Sequence, residues 1–138
     1  MNRDVVLRRA LMISAGFNLL AALLFAFPAS FAGQFAGLPA DVPLAYRAMT
    51  ALFVLLFGAA YAWLAGQDVV DRVFVIFGAV AKTSAFVLIL ALWLAGAAGG
   101  KGVLIASGDV VLAAVFLWCV GGGRGMASTR DKATRLRS

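Results

Sequence analysis

Four apolar runs, each about the ~20 residues a helix needs to cross a bilayer, are separated by short polar or glycine-rich breaks. The first, Leu11–Phe27, is interrupted only by Ser14, Gly16 and Asn18, and Pro28 closes it. The second extends from about Pro43 to Ala65, the third contains Val73–Leu94, and the fourth covers about Val103–Val120. The pattern predicts an all-α, four-transmembrane-helix bundle with antiparallel neighbours and spans at about 9–28, 43–65, 69–95 and 103–120. Between the first two spans, FAGQFAGLPA is too short and too rich in glycine and proline to cross. Its Phe31, Phe35 and Leu38 share one side at helical spacing, which predicts a short interfacial segment at about 31–38.

Local signals refine these spans. Asp41 reads as an N-cap for the second helix, with Pro43 in its first turn. Gly58, Ala62 and Gly66 repeat every fourth residue, the small-residue pattern that lets two helix backbones come close. In GQDVVD, Asp68 reads as the cap of the third helix, with Asp71 adding negative charge near its positive dipole end. The glycines of GAAGGKG break the third helix and turn the chain into the fourth, and Gly121–Gly123 ends the transmembrane domain, 1–123. Residues 124–138 read as a basic, disordered tail.

Composition changes the picture from helical to membrane-embedded. Of 138 residues, 64% are hydrophobic and 13% charged, and the mean hydropathy is +1.00. Soluble domains carry about 25% charged residues, so this chain belongs in lipid. The net charge of +6 does not point to nucleic acid, because the cations flank apolar runs. Arg3, Arg8, Arg9, Arg72 and the five cations of the tail fall on one side, against Arg47 and Lys101 on the other. The positive-inside rule then puts both termini in the cytoplasm of a bacterial inner membrane. The arginines ahead of the first run, with PASFAG behind it, also match the outline of a secretory signal peptide. The run is longer than the ~7–15 residues of a signal core, however, and a retained span is expected.

The chemistry available is narrow. There is no histidine and no glutamate, and Cys119 is the single cysteine. Neither a metal site nor a resident cofactor is expected, and no disulfide or redox pair can form within one chain. Cys119 lies where a palmitoylated cysteine would, but a packed or lipid-facing thiol is the simpler reading. Tyr46, Tyr61, Trp63, Trp93 and Trp118 lie near span ends, as interfacial aromatics do.

The exception is Lys82, a cation near the middle of the third span. An intramembrane lysine costs ~2.5–3.5 kcal/mol on insertion scales and marks either a function or a buried ion pair. Counting ~1.5 Å per helical residue puts Lys82 about 20 Å, Asp109 about 16 Å and Asn18 about 14 Å from the cytoplasmic surface. Three helices thus bring three polar groups to one layer, with Thr83, Ser84 and Ser107 nearby. Arg47, Tyr61, Ser107 and Thr83 are secondary candidates, although Thr83 and Ser84 directly follow Lys82 and point around the helix away from it. One reading is a structural Lys82–Asp109 pair, with Asn18 satisfying a remaining donor or acceptor. It describes an accessory or self-associating subunit, partnered by the bilayer and by further copies or a larger complex. The alternative is that the cluster lines a pocket for a small amphipathic or lipid-like molecule, or relays a proton. Enzymatic activity is not expected, because a nucleophile would need an adjacent base.

Arg47, Gly58, Tyr61, Gly78, Lys82, Gly108–Asp109 and Phe116 form a sparse pattern over roughly Ala45–Phe116. It resembles a broad group of small uncharacterised bacterial four-helix membrane proteins, DoxX-like in size and layout. The resemblance implies a four-helix bundle in the inner membrane. Some DoxX-type proteins are linked with quinone-dependent oxidation, but this sequence holds none of the redox residues that chemistry requires.

Overall fold

The computed structural model of the protein describes residues 2–121. It is all-helical over that range: α1 (Arg3–Ala26), α2 (Phe31–Phe35), α3 (Leu44–Ala65), α4 (Arg72–Leu94) and α5 (Gly100–Gly121). The four longer helices are each long and apolar enough to cross a membrane. The tail at 124–138 lies outside the described residues.

The helix ends follow from local hydrogen bonding, with two corrections to the sequence reading. Asp71, not Asp68, caps α4, its carboxylate accepting from the Val73 and Phe74 amides. Asp68 instead offers its main-chain carbonyl to Arg8 at 2.9 Å, and the same guanidinium takes the Ala65 carbonyl at 2.7 Å. Arg8 therefore closes the exposed carbonyl end of α3, where a cation also suits the helix dipole. Asp41 does not cap α3; Pro43 occupies that position with extended backbone, and no side chain caps the helix. A proline fixed at φ −54° with ψ 138° cannot continue the helix backward to Asp41. At the end of α4, Gly96 takes φ +74° and donates to the Trp93 carbonyl, while Ala97 donates to Leu92, a paired closure that glycine makes without strain.

Helix packing is uneven. α1 lies closely against α3, α4 closely against α5, and α1 also meets α5. Small residues permit the first contact: a Cβ on Gly58 would stand 3.1 Å from Asn18 Cβ and 3.2 Å from the Ala15 carbonyl oxygen. By contrast, the consecutive helices α3 and α4 meet through aromatic side chains. Tyr61 lies over Gly78, where a Cβ would fall 2.9 Å from its ring and hydroxyl, and Phe57 stacks on Phe77 at 6.2 Å. Around the bundle the order is thus α3, α1, α5, α4, with a loose seam between α4 and α3.

The well-packed core sits in one half. Leu7, Ala10 and Leu11 of α1, Tyr61 and Leu64 of α3, Val75 and Ala79 of α4, and Ala113, Phe116 and Cys119 of α5 form it. All lie toward the end where α1 begins and α5 stops. At the opposite end α2 lies within the α1–α3 connection, and Lys101 at the start of α5 sits 4.9 Å from the Phe35 ring. Outward, Phe31, Trp63, Leu94, Leu104 and many other large apolar side chains are exposed, as a lipid-facing surface requires.

Gly58→Leu is expected to force α1 and α3 apart and destabilise the protein by about 1–3 kcal/mol. Gly16→Leu, at a position where a Cβ meets nothing within 4 Å, leaves stability unchanged. Helical circular dichroism during denaturation in detergent reads both.

Candidate functional site

One hydrogen-bonded chain of polar groups ties all four long helices together. Lys82 on α4 donates its ammonium to Asp109 on α5, forming an ion pair. It also donates to the side-chain oxygen of Asn18 on α1 at 3.3 Å. Asn18 in turn donates its amide nitrogen to the Val54 carbonyl of α3 at 3.3 Å. The direction of these bonds fixes which end of the Asn18 amide faces the ammonium. The Lys82 ammonium also lies 5.4 Å from the Tyr61 ring centroid and 5.9 Å from that of Phe17, so two aromatic faces receive part of its charge.

The two members of the ion pair are not equally covered. Lys82 is 5% exposed, whereas the Asp109 side chain keeps 20%. Asp109 looks into a cavity of about 660 Å³ that begins at the cluster and extends away from the packed core. Phe17, Asn18, Tyr61, Lys82 and Asp109 form its base. Its walls are apolar: Leu24 and Phe25 of α1, Phe53 and Phe57 of α3, Leu88 and Ile89 of α4, and Ile105 and Ala106 of α5. The connection following α2 (Ala36–Pro39) and the α4–α5 turn (Ala97–Gly99) border the far end. From Lys82 to Leu92 along α4 the cavity is about 15 Å deep. Its volume lies within the ~300–1,000 Å³ of small-molecule sites. Thr50 and Phe53 on α3 and Ala85 and Leu88 on α4 line it and are also exposed, so it opens sideways along the loose seam.

The secondary candidates divide. Tyr61 is not an interfacial aromatic: it is 1% exposed, packs on Phe116 at 5.7 Å and directs its hydroxyl to the Gly78 carbonyl at 3.4 Å. The other four, Tyr46, Trp63, Trp93 and Trp118, are all exposed. Tyr61 lies only one turn from the end of α3, and sequence position alone could not separate an inward ring from an outward one. Thr83 is exposed and bonds back to the Ala79 carbonyl at 2.9 Å, and Ser107 bonds back to the Leu104 carbonyl at 2.6 Å. Neither joins the cluster, because a hydroxyl on a helix satisfies itself on the preceding turn. Arg47 is half-buried, and its Nε is enclosed without a hydrogen-bond partner among the described residues.

Two features escaped the sequence reading. Ser14 is fully buried one turn from Asn18, with its hydroxyl unpartnered among the described residues. Phe17 and Phe57 line the cavity, but nothing in an apolar run distinguishes a cavity wall from a lipid-facing side chain. Cys119 is buried against the core, which leaves its thiol poorly placed for acylation. No group of three or more histidine, cysteine or acidic side chains able to hold a metal ion occurs among the described residues.

Lys82→Met or Asp109→Leu alone is expected to cost about 3–5 kcal/mol, because each leaves a buried charge without its counter-charge. The double substitution recovers most of that loss. Denaturant unfolding of the four proteins checks this; a double variant as unstable as the singles would rule out a simple pair. Compared with family models, curated proteins and solved structures, the chain matches none.

Proposed function

We propose that the protein is a small integral protein of a bacterial inner membrane that binds or carries a small amphipathic or lipid-like molecule. The observation that carries this reading is the apolar cavity of about 660 Å³ that ends on the Lys82–Asp109–Asn18 cluster. A pair serving only to hold helices would be expected under packed side chains, as the core toward the other end is packed. Here a carboxylate faces open space between apolar walls, the arrangement by which a site orients one polar end of an otherwise apolar ligand. No reaction is assigned to it.

A second reading has its own support. The hydrogen-bonded chain through α3, α1, α4 and α5 fixes helix register whether or not a ligand is present. An accessory or self-associating subunit would need that register and no cavity. The two readings part at the double variant Lys82→Met with Asp109→Leu, which folds in both cases but loses ligand only in the first.

The orientation we propose has the starts of α1 and α4 and the end of α5 at the cytoplasmic surface, following the excess of arginine there. The DoxX-like layout named above is compatible with this topology. The cavity then belongs to the outer leaflet, and its sideways mouth faces lipid rather than water.

Native mass spectrometry of the protein released from lipid is expected to show a retained small molecule. Ala85→Trp, which places a large ring at the mouth of the cavity, abolishes retention without lowering thermal stability. A wild-type protein that retains nothing argues for the second reading. For topology, single cysteines are placed on a Cys119→Ala background at Ala97 and at Val69, on opposite ends of α4. A membrane-impermeant maleimide on cells with the outer membrane opened labels the cysteine at 97, and labels the one at 69 only after the inner membrane is broken.

A further inference from the structure

The chemistry of the exposed atoms restricts the head group that the cavity accepts. Of the three N–H donors on the Lys82 ammonium, one is taken by Asp109 and one by Asn18. The other carboxylate oxygen of Asp109, Oδ2, accepts a hydrogen bond from no described residue, and Asp109 is the more exposed member of the pair. Both residues line the cavity base, where Asp109 Oδ2 and the third N–H of Lys82 have no hydrogen-bond partner among the described residues, on a pair whose charges cancel.

That combination sorts ligands by charge. An anionic head would stand against the exposed carboxylate. A cationic head would add a second positive charge next to Lys82. Either would leave a net charge in a cavity whose walls are phenyl and aliphatic, where an unpaired charge is strongly disfavoured. A hydroxyl is both donor and acceptor and adds no charge. Resting on the binding reading above, we propose that the cavity takes a neutral, hydroxyl-bearing, single-chain lipid-like molecule. Its hydroxyl donates to Asp109 Oδ2 while its oxygen accepts the remaining Lys82 N–H. Its chain follows the roughly 15 Å from Lys82 toward Leu92, and it enters between α3 and α4 from the surrounding lipid.

The test uses the full chain in lipid nanodiscs with decanol, decanoate and decylamine, which share a chain and differ in head group. Retention is measured against protein-free nanodiscs at pH values where the acid and the amine are charged. Decanol is expected to bind saturably and about tenfold or more tighter than either charged probe. Asp109→Asn, which keeps an acceptor but leaves Lys82 without its counter-charge, is expected to reverse the order and favour decanoate. Decanoate or decylamine binding as tightly as decanol to the wild type overturns the head-group inference and leaves the cavity reading standing. No probe held above the protein-free level overturns both. Should Asp109→Asn fail to fold, the wild-type order of the three probes decides alone.

Discussion

The bundle depends on one ammonium group having somewhere to go. Lys82 sits where a hydrated lysine cannot, and its charge is met by Asp109, by the Asn18 amide and by the faces of Tyr61 and Phe17. Each partner comes from a helix other than α4, so satisfying the lysine fixes the rotation and height of α1, α3 and α5 relative to it. Asn18 carries the constraint onward to the α3 backbone. Apolar packing in lipid supplies little of this specificity, because a leucine facing lipid and a leucine facing another helix lie in similar surroundings. The polar chain gives the four helices a single register.

The same chain divides the molecule. Toward the start of α1, small residues and interlocking large ones fill the space, and Leu11, Val75 and Phe116 are fully buried. On the other side of the lysine the four helices enclose the cavity of about 660 Å³. It borders the seam of α3 and α4. The two are joined by a short turn and held at that end by Arg8, whose guanidinium spans the carbonyls of Ala65 and Asp68. One turn farther along, the Tyr61 ring is wedged against Gly78, and Phe57 lies on Phe77 beyond it. Aromatic rings therefore lie between these two helices. A larger residue at position 78 would displace the ring, since a Cβ there already falls within 2.9 Å of it.

Much of this was legible in the sequence because it rests on periodicity and on scarcity. Four apolar runs of bilayer length specify four helices, and the described helices fall within a few residues of the predicted spans except at the start of α1. There the helix begins ahead of the predicted span, because Arg3, Arg8 and Arg9 are part of it even though they are polar. Lys82, Asp109 and Asn18 could be grouped because so few polar residues interrupt the runs and helical rise places them at one depth. What was not legible depends on azimuth. Choosing between Asp68 and Asp71 as the cap, and between an inward and an outward Tyr61, requires knowing how each helix is rotated. Alternation of apolar with apolar residues carries no such information. The cavity was hidden for the same reason: its walls are Phe, Leu and Ile, the residues that also face lipid.

Coupling between cluster and cavity follows from what the cluster leaves unfinished. Had Asp109 and Lys82 been fully enclosed, their charges would have been compensated within the protein and the space above them would have been better filled. Instead the ammonium is covered, the carboxylate keeps 20% of its surface open, and an acceptor and a donor remain without partners among the described residues at the base of an apolar chamber. Residual hydrogen-bonding capacity of this kind is costly in an apolar site unless something occupies it. The paired charges are stable without a ligand, so the fold does not depend on one. The unpaired lone pairs and the third N–H are not stabilised by the pair, and they are what a polar head would complete. The lysine that fixes the register of the bundle therefore also lies at the base of its cavity. The proposed ligand contacts use Asp109 Oδ2 and the third N–H of Lys82, while the bonds already made by the three residues hold the helices.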